Sequence, residues 1–318
     1  MLNVLITGAN GFVGKAVCSH LAANGFAVKA VVRKLSDNLP QDFPRIAIGE
    51  IDGQTDWQSA LQKVDAVVHL AARVHVMDDK AADPLAEYRK TNVDGTLNLA
   101  RQALEFGIKR FIYISTIKVN GEFSLPGQSF TAHDKVNPVG GYALSKFQAE
   151  LGLKQLAEKS ALEPVIIRPP LLYGPGVKAN FQALLRYVEL GLPLPLGAIH
   201  NRRSLLAVPN LADLIRVCLT HPAAAGQTFL ASDGGAVSTT ELLWLIANAM
   251  GKSSRLLPIP QDLLSLLLKL AGKADLAQRL CSDLEVDASL TSQRLQWAPP
   301  VGLMQALTET VAEYRAQR

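Results

Sequence analysis

The first fourteen residues, "MLNVLITGANGFVG", set narrow limits on what this chain can fold into. An apolar run of strand length, residues 2–7, runs straight into Gly8, Gly11 and Gly14. In a strand–turn–helix context the first glycine permits a tight turn. The second lets a phosphate approach the backbone, and the third allows close packing of helix on sheet. The helix that follows, beginning near Phe12 and Val13, points free N–H groups and the positive end of its dipole at that turn, which suits a pyrophosphate. A nicotinamide dinucleotide site is therefore expected here.

The same alternation continues through the first half of the chain. "LNVLITG" (2–8), "AVKAVVR" (27–33), "RIAIGE" (45–50), "DAVVHLAA" (65–72), "RFIYIS" (110–115) and "PVIIRPP" (164–170) read as strands buried on both faces. Amphipathic stretches separate them; in the first, Val13, Val17 and Leu21 share a face and Gly25 supplies a C-terminal stop. Strand–helix–strand repetition predicts an α/β fold, a Rossmann-type doubly wound parallel sheet with right-handed crossovers. Residues 1–175 are expected to form the dinucleotide-binding domain. Residues 176–318, richer in irregular Pro/Gly segments, are expected to form a smaller, partly discontinuous substrate-binding portion. Ligands of such sheets bind at the carboxyl ends of the strands, which places Ser115 and Thr116 at the ligand edge.

Composition excludes several function classes. A net charge of +4 over 318 residues favours an anionic ligand without arguing for nucleic acid. Cys18, Cys218 and Cys281 are far apart and form no C-x-x-C pair, as in a reducing compartment, and no cluster has metal-ligand spacing. The N-terminus lacks the basic region of a signal peptide, and "LLSLLLKLAG" (263–272) is shorter than the roughly 20 apolar residues that span a bilayer. That stretch is expected to be a core or interface helix, with membrane-surface contact as the alternative. A cytoplasmic enzyme without a membrane span is the expectation.

The end of the second strand bears on the cofactor. An NAD site usually offers an acid to the adenosine ribose about 20 residues beyond the glycines; this chain offers Arg33 and Lys34. Two cations suit a 2′-phosphate, so NADP is expected, with NAD use left open. Glu50 and Ile51 are expected to border the adenine, and Leu70, Ala71 and Ala72 to line the same edge.

"YALSK" places Tyr142 and Lys146 one helical turn apart on the same face. An ammonium beside a phenol favours the phenolate, so the tyrosine is expected to ionise closer to neutrality and to exchange a proton with a carbonyl or hydroxyl. Together with "TGANGFVG", "HLAA" (69–72), "TNVDGTLNLA" (91–100) and "RPPLLYGPG" (168–176), this chain resembles the extended short-chain dehydrogenase/reductase superfamily, in its NAD-dependent epimerase/dehydratase group. The resemblance implies that Thr116 is the catalytic hydroxyl beside Tyr142 and Lys146, with Ser115 a neighbouring candidate, and that Asn92 is a structural hydrogen-bonder. It also implies a homodimer formed through the helices bearing Tyr142 and Ala100.

The resemblance also bears on the reaction. Dehydratases of this group carry Asp-Glu directly after the threonine; this chain has Ile117 and Lys118, and isoleucine cannot transfer a proton. Reduction or epimerisation remains. "NRRSLLAVPNLADLI" (201–215) matches the strand whose arginine, here Arg203 with Arg202 beside it, holds a sugar-nucleotide diphosphate through a planar fork. Asn210 departs from the aspartate usual there, and Asp213 is a possible substitute. Asn180 falls near the diphosphate or uridine, and Arg73, His75, Lys118 and Asn120 on loops expected to face the sugar.

"HLAARVHVM", "STIKVNGE", "VKANF" and "PLPLGAIHNRRSL" look like the bacterial subgroup that makes N-acetylated 6-deoxyhexosamine nucleotides for O-antigen, with UDP-N-acetyl-α-D-quinovosamine dehydrogenase activity. The implied reaction reduces the 4-keto group of a UDP-4-keto-6-deoxy-N-acetylhexosamine. A UDP-hexose or UDP-N-acetylhexosamine 4-epimerase with tightly bound NAD is the alternative, and a non-catalytic dinucleotide-sensing regulator the remaining one.

Overall fold

The computed structural model describes residues 1–35, 39, 43–74 and 83–317. In chain order, β1 (Asn3–Thr7) leads into α1 (Phe12–Ala23) and β2 (Ala27–Val32), then β3 (Arg45–Ala47), α2 (Gln58–Leu61) and β4 (Ala66–His69). Next, α3 (Pro84–Arg89) passes through a π-helical turn (Lys90–Gly95) into α4 (Thr96–Glu105), and β5 (Arg110–Ile114) is followed by a tight helical turn (Ile117–Val119). Then come α5 (Gly140–Ala157), β6 (Glu163–Arg168), β7 (Leu171–Tyr173), α6 (Ala179–Glu189), β8 (Leu205–Ala207), α7 (Val208–Thr220) and β9 (Thr228–Leu230). The last helices are α8 (Thr239–Ala249), α9 (Gln261–Leu270), α10 (Ala274–Cys281), α11 (Ser289–Leu295) and α12 (Leu303–Ala316).

Among the described residues, seven strands form one parallel sheet in the order β3-β2-β1-β4-β5-β6-β9. The order reverses direction at β1, and the crevice between the carboxyl ends of β1 and β4 is where such sheets take a ligand. All six strands expected from sequence form, slightly shorter than read. The seventh, β9, was missed because three residues are too few to carry a periodic signal.

Successive strand residues go to opposite layers, as a pleated strand requires. Val4, Ile6, Val68 and Ile112 pack with Val17 and Leu21 of α1 and with Leu211 and Ile215 of α7. Leu5, Val67 and Phe111 point the other way, against Leu99 of α4, Ala149 and Leu153 of α5, and Trp57. This two-faced burial explains why the strands read as continuous apolar runs.

A second core lies beyond residue 172, where Tyr173, Phe181, Leu185, Leu243, Ile246, Leu307 and Val311 meet. The chain does not stay there after residue 176. Helix α7 and strand β9 return to the central sheet, and β8 pairs with β7 in a small parallel sheet. The apolar stretch 263–272 departs from the core half of the core-or-interface expectation. Of the α9 leucines only Leu264 is buried and Leu268 partly so, while Leu263, Leu266, Leu267 and Leu270 are exposed. No described helix is long and apolar enough to cross a membrane.

Candidate active site

The glycine turn is dictated by backbone proximity. Gly8 sits at φ +67°, and a Cβ there would stand 2.9 Å from the Ala71 nitrogen. A Cβ on Gly14 would lie 2.1 Å from the Gly8 oxygen, so α1 can approach β1 only with a bare Cα at that position. Gly11 differs: it is exposed, donates its N–H to Gly8 O at 3.0 Å, and N-caps α1 with no side chain across the helix end. Phe12 and Val13 form the first helical turn, half-buried. An uncapped helix N-terminus behind a bare backbone ledge fits a dinucleotide pyrophosphate.

The neighbouring edge is consistent with that fit. Arg33 and Lys34 follow β2 and are exposed. Glu50 is exposed and faces Lys90 at 3.7 Å, while Ile51 is half-buried and packs so closely on Gly95 that a Cβ there would lie 2.7 Å from Ile51 Cγ2. Leu70, Ala71 and Ala72 follow β4, and the N–H groups of Leu70 and Ala71 donate to Thr7 Oγ1, each at 3.2 Å. Ser115, after β5, has a buried hydroxyl with no hydrogen-bond partner among the described residues.

A buried hydrogen-bond relay ties this turn to α5. Thr7 Oγ1 already accepts two N–H groups, so its own proton goes to His69 Nδ1, 2.7 Å away. His69 is then the Nε2–H tautomer and donates to Thr96 Oγ1 at 3.0 Å, which donates to Asn92 O at 2.8 Å. Burial holds the His69 imidazole down at about 3, with the Lys146 charge acting the same way, so the ring stays neutral. Asn92 accepts the Arg73 N–H at 2.8 Å and donates to both Arg73 O and Ser145 Oγ at 3.0 Å. Ser145 completes the path by donating to Tyr142 O at 2.8 Å. Sequence reading reached Asn92 but missed Thr7 and Ser145; both lie inside the quoted motifs as small hydroxyls with no spacing rule of their own.

Tyr142 and Lys146 occupy the first two turns of α5. Lys146 is 2% exposed, its Nζ 4.1 Å from the centre of the Tyr113 ring, and burial brings its ammonium down to about 7 against the opposing pull of Glu150. The Tyr142 phenol is pushed up to about 12 by burial and by Tyr88, whose ring meets it edge-on at 6.3 Å. This runs against the expectation that the neighbouring lysine brings the phenol toward neutrality: in the protein by itself, desolvation is the largest influence on it. Tyr88 was also missed from sequence. Arg73 lies over its ring, 5.7 Å from the centroid, and a Cβ on Gly141 would stand 3.0 Å from that ring.

Thr116 N-caps the turn after β5, its Oγ1 accepting the Lys118 N–H at 3.3 Å and keeping its own proton to donate. Ile117 is 3% exposed and packs with Leu230, Leu284 and Val286, so the position where a dehydratase holds a carboxylate is filled by core. Lys118 is partly exposed and pairs with Glu122 at 2.9 Å. Asn120 corrects the expectation that it faces the sugar: it is 2% exposed, accepts from Arg168 Nη1 at 2.9 Å and donates to Thr131 O. Arg168 is itself held by Glu150 of α5 through two bonds, so Asn120 braces the turn against the helix of Tyr142. His75 lies outside the described residues.

On the opposite side, Arg202 and Arg203 separate into two roles. Arg202 forms an exposed two-bond ion pair with Glu285. Arg203 is partly buried, its Nη1 donating to Ser282 O at 3.0 Å and its backbone paired with Val237. Burial pulls its guanidinium below the usual arginine value, with Asp283 and Glu122 opposing. Asn180 is exposed in the first turn of α6. Asn210 bonds to Asp233 at 2.7 Å and to both backbone groups of Val301, whereas Asp213 is occupied by Arg216, Trp297 and His20. Asp233, not Asp213, supplies the carboxylate beside Asn210.

Three similarities bear on this arrangement. The chain is 46% identical over 314 residues, 98% of its length and 95% of the relative's, to a UDP-glucose 4-epimerase from Vibrio cholerae. It is 28% identical to an N-acetyl-α-D-glucosaminyl-diphospho-ditrans,octacis-undecaprenol 4-epimerase from Escherichia coli O157:H7, over 97% of this chain and 94% of the other. Its fold superposes on the crystal structure of UDP-N-acetylglucosamine 4-epimerase from Bacillus cereus with a TM-score of 0.81, at 23% identity, covering 99% of this chain and 100% of that one. Residues 4–231 match the NAD-dependent epimerase/dehydratase family. These relatives are named for epimerisation at carbon 4, where the motif reading favoured reduction. With the glycine turn, the tyrosine–lysine pair and the parallel sheet already in place, the match over most of the chain decides the matter: the chain belongs to the NAD-dependent epimerase/dehydratase family.

Proposed function

We propose that the protein interconverts UDP-hexoses or UDP-N-acetylhexosamines at carbon 4, using one tightly held nicotinamide dinucleotide. The supporting observation is 46% identity to a UDP-glucose 4-epimerase along 98% of the chain. The residues agree with it. Tyr142 is offered as the acid/base, and the position that a dehydratase would use for a second proton carrier is the buried Ile117.

When bound, the dinucleotide would supply the hydride acceptor and, in its oxidised form, a positive charge that would favour the ionised phenol. Tyr142 takes the proton of the C4 hydroxyl and returns it to that same oxygen once the 4-keto sugar has turned over and presents its other face. Thr116 donates to the sugar oxygen and orients it. Lys146 would hold the nicotinamide ribose and sit on the same face of α5 as Tyr142. Gly8, Gly11, Phe12, Val13 and Gly14 cradle the pyrophosphate, Glu50 and Ile51 border the adenine, and Leu70, Ala71 and Ala72 line the ring edge. Arg203 and Asn180 grip the diphosphate, and Arg73 and Lys118 approach the sugar. We assign substrate binding mainly to residues 176–318 and pairing of two copies to the α4 and α5 faces.

A second reading rests on Arg33 and Lys34, exposed after β2 with no acid in their place. They suit the 2′-phosphate of NADP, and a consumed reductant would make the enzyme a 4-ketoreductase of UDP-4-keto-6-deoxy-N-acetylhexosamines, feeding O-antigen precursors. Product analysis separates the readings. Redox-neutral interconversion of UDP-glucose with UDP-galactose, or of their N-acetylated counterparts, supports the first. Stoichiometric NADPH oxidation by a 4-keto sugar nucleotide, without interconversion, supports the second.

A further inference from the structure

Helix α9 carries a stripe that neither core covers. Leu263, Leu266, Leu267 and Leu270 fall at i, i+3, i+4 and i+7, one face of a helix, and are 47% to 76% exposed. Leu276 on α10 is exposed as well. The opposite face, through Leu264 and Leu268, anchors the helix to the second core, so the stripe is held outward by packing.

The surroundings say what kind of surface meets it. Residues 251–281 carry five cations, Lys252, Arg255, Lys269, Lys273 and Arg279, against two carboxylates, Asp262 and Asp275. That is a formal +3 of the chain's +4. All five cations are exposed. Lys269 flanks the stripe, where its stem can lie along the leucines while its ammonium reaches outward. An apolar stripe that carries Lys269 on its own helix, in a segment of net positive charge, matches the boundary of an anionic bilayer: acyl chains for the leucines, phosphates for the cations.

We propose that the α9–α10 hairpin docks peripherally on an anionic phospholipid surface. This goes beyond the proposed reaction and holds for either reading of it. The hairpin is tied to the substrate side of the molecule. Ser282 O, just past α10, accepts from both Arg203 Nη1 and Asn201 Nδ2, and His200 N–H donates to Gln261 Oε1 at the start of α9. Docking therefore brings the segment of Arg203 toward the headgroup plane.

Sedimentation of the full-length protein with vesicles tests this, using phosphatidylcholine alone against phosphatidylcholine mixed with phosphatidylglycerol. The expected result is strong pelleting only with the mixed vesicles, weakened by added salt. Lys269→Glu combined with Lys273→Glu, which leaves the leucines in place, lowers affinity at least about tenfold. Leu266→Ser/Leu267→Ser/Leu270→Ser abolishes pelleting while leaving the melting temperature and dinucleotide binding unchanged. Equal pelleting of the wild type with both vesicles, or of wild type and the lysine variant, overturns the proposal. So does sedimentation velocity in which the leucine variant turns a dimer into a monomer, because the stripe is then covered by a second copy.

Discussion

The Tyr88 ring stands edge-on to the Tyr142 ring with centroids 6.3 Å apart, and the two phenols lie on different helices, α3 and α5. Tyr88 is itself fixed by Arg73 over its ring and by the closeness of Gly141. The residue offered as acid/base is therefore gripped from the segment that also carries Asn92, and its ionisation reports on that packing.

The first prediction follows from this pair. Burial and Tyr88 together push the Tyr142 phenol up to about 12. Oxidation of an alcohol needs the phenolate, so kcat/KM rises with pH until Tyr142 ionises. Tyr88→Phe keeps the ring and removes the second ionisable hydroxyl, so the rising limb should move to lower pH. An unmoved limb would mean that Tyr88 packs against Tyr142 without tuning it.

Gly11 and Gly14 should fail in different ways. Alanine at 14 drives a Cβ against the Gly8 and Ala9 backbone and should cost about 1–3 kcal/mol of stability, read by chemical denaturation. Alanine at 11 meets only Gly8 O, at 3.2 Å, on an exposed ledge. It should leave the melting temperature nearly unchanged and weaken dinucleotide binding by calorimetry. Equal loss of stability in both variants would contradict the pyrophosphate ledge.

Lys146 trades stability for its position. Its ammonium falls from 10.5 in the unfolded chain to about 7 in the fold. Between those pH values the unfolded state binds the extra proton, so this group makes stability rise with pH across that window. Lys146→Met should flatten that rise and melt at or above the wild-type temperature at pH 7, while activity drops by about 10²-fold or more. A clear fall in melting temperature at pH 7 would show that the cation over the Tyr113 ring is net stabilising.

Much of this was legible in the sequence because the signals are local. Buried parallel strands read as apolar runs, and the glycine turn and the tyrosine–lysine pair keep fixed spacings. What escaped depends on side chains brought together from distant segments: the relay from Thr7 through His69 to Ser145, Tyr88 against Tyr142, and the burial of Asn120 between Arg168 and Thr131. The raised Tyr142 pKa escaped for the same reason. Spacing gives a neighbouring lysine, but desolvation is a property of the packed site.

The brace behind α5 yields a further test. Arg168 is buried with Glu150, 2.5 Å at the closest contact, and with Asn120. Glu150→Ala leaves a buried guanidinium half-paired and should cost about 3–5 kcal/mol. Pairing it with Arg168→Met should recover much of that loss. A single-variant cost below about 1 kcal/mol, the value of an exposed pair, would mean that water reaches the arginine.

The central claim is that one cofactor takes a hydride from sugar carbon 4 and returns the same hydride to the other face. A UDP-hexose or UDP-N-acetylhexosamine deuterated at carbon 4, incubated with the purified protein and unlabelled NADH, NADPH and their oxidised forms, tests this by mass spectrometry of the product. Epimerised product that keeps its deuterium is the predicted result. Deuterium lost to the free cofactor pool, or no interconversion alongside NADPH-dependent reduction of a 4-keto sugar nucleotide, would contradict it.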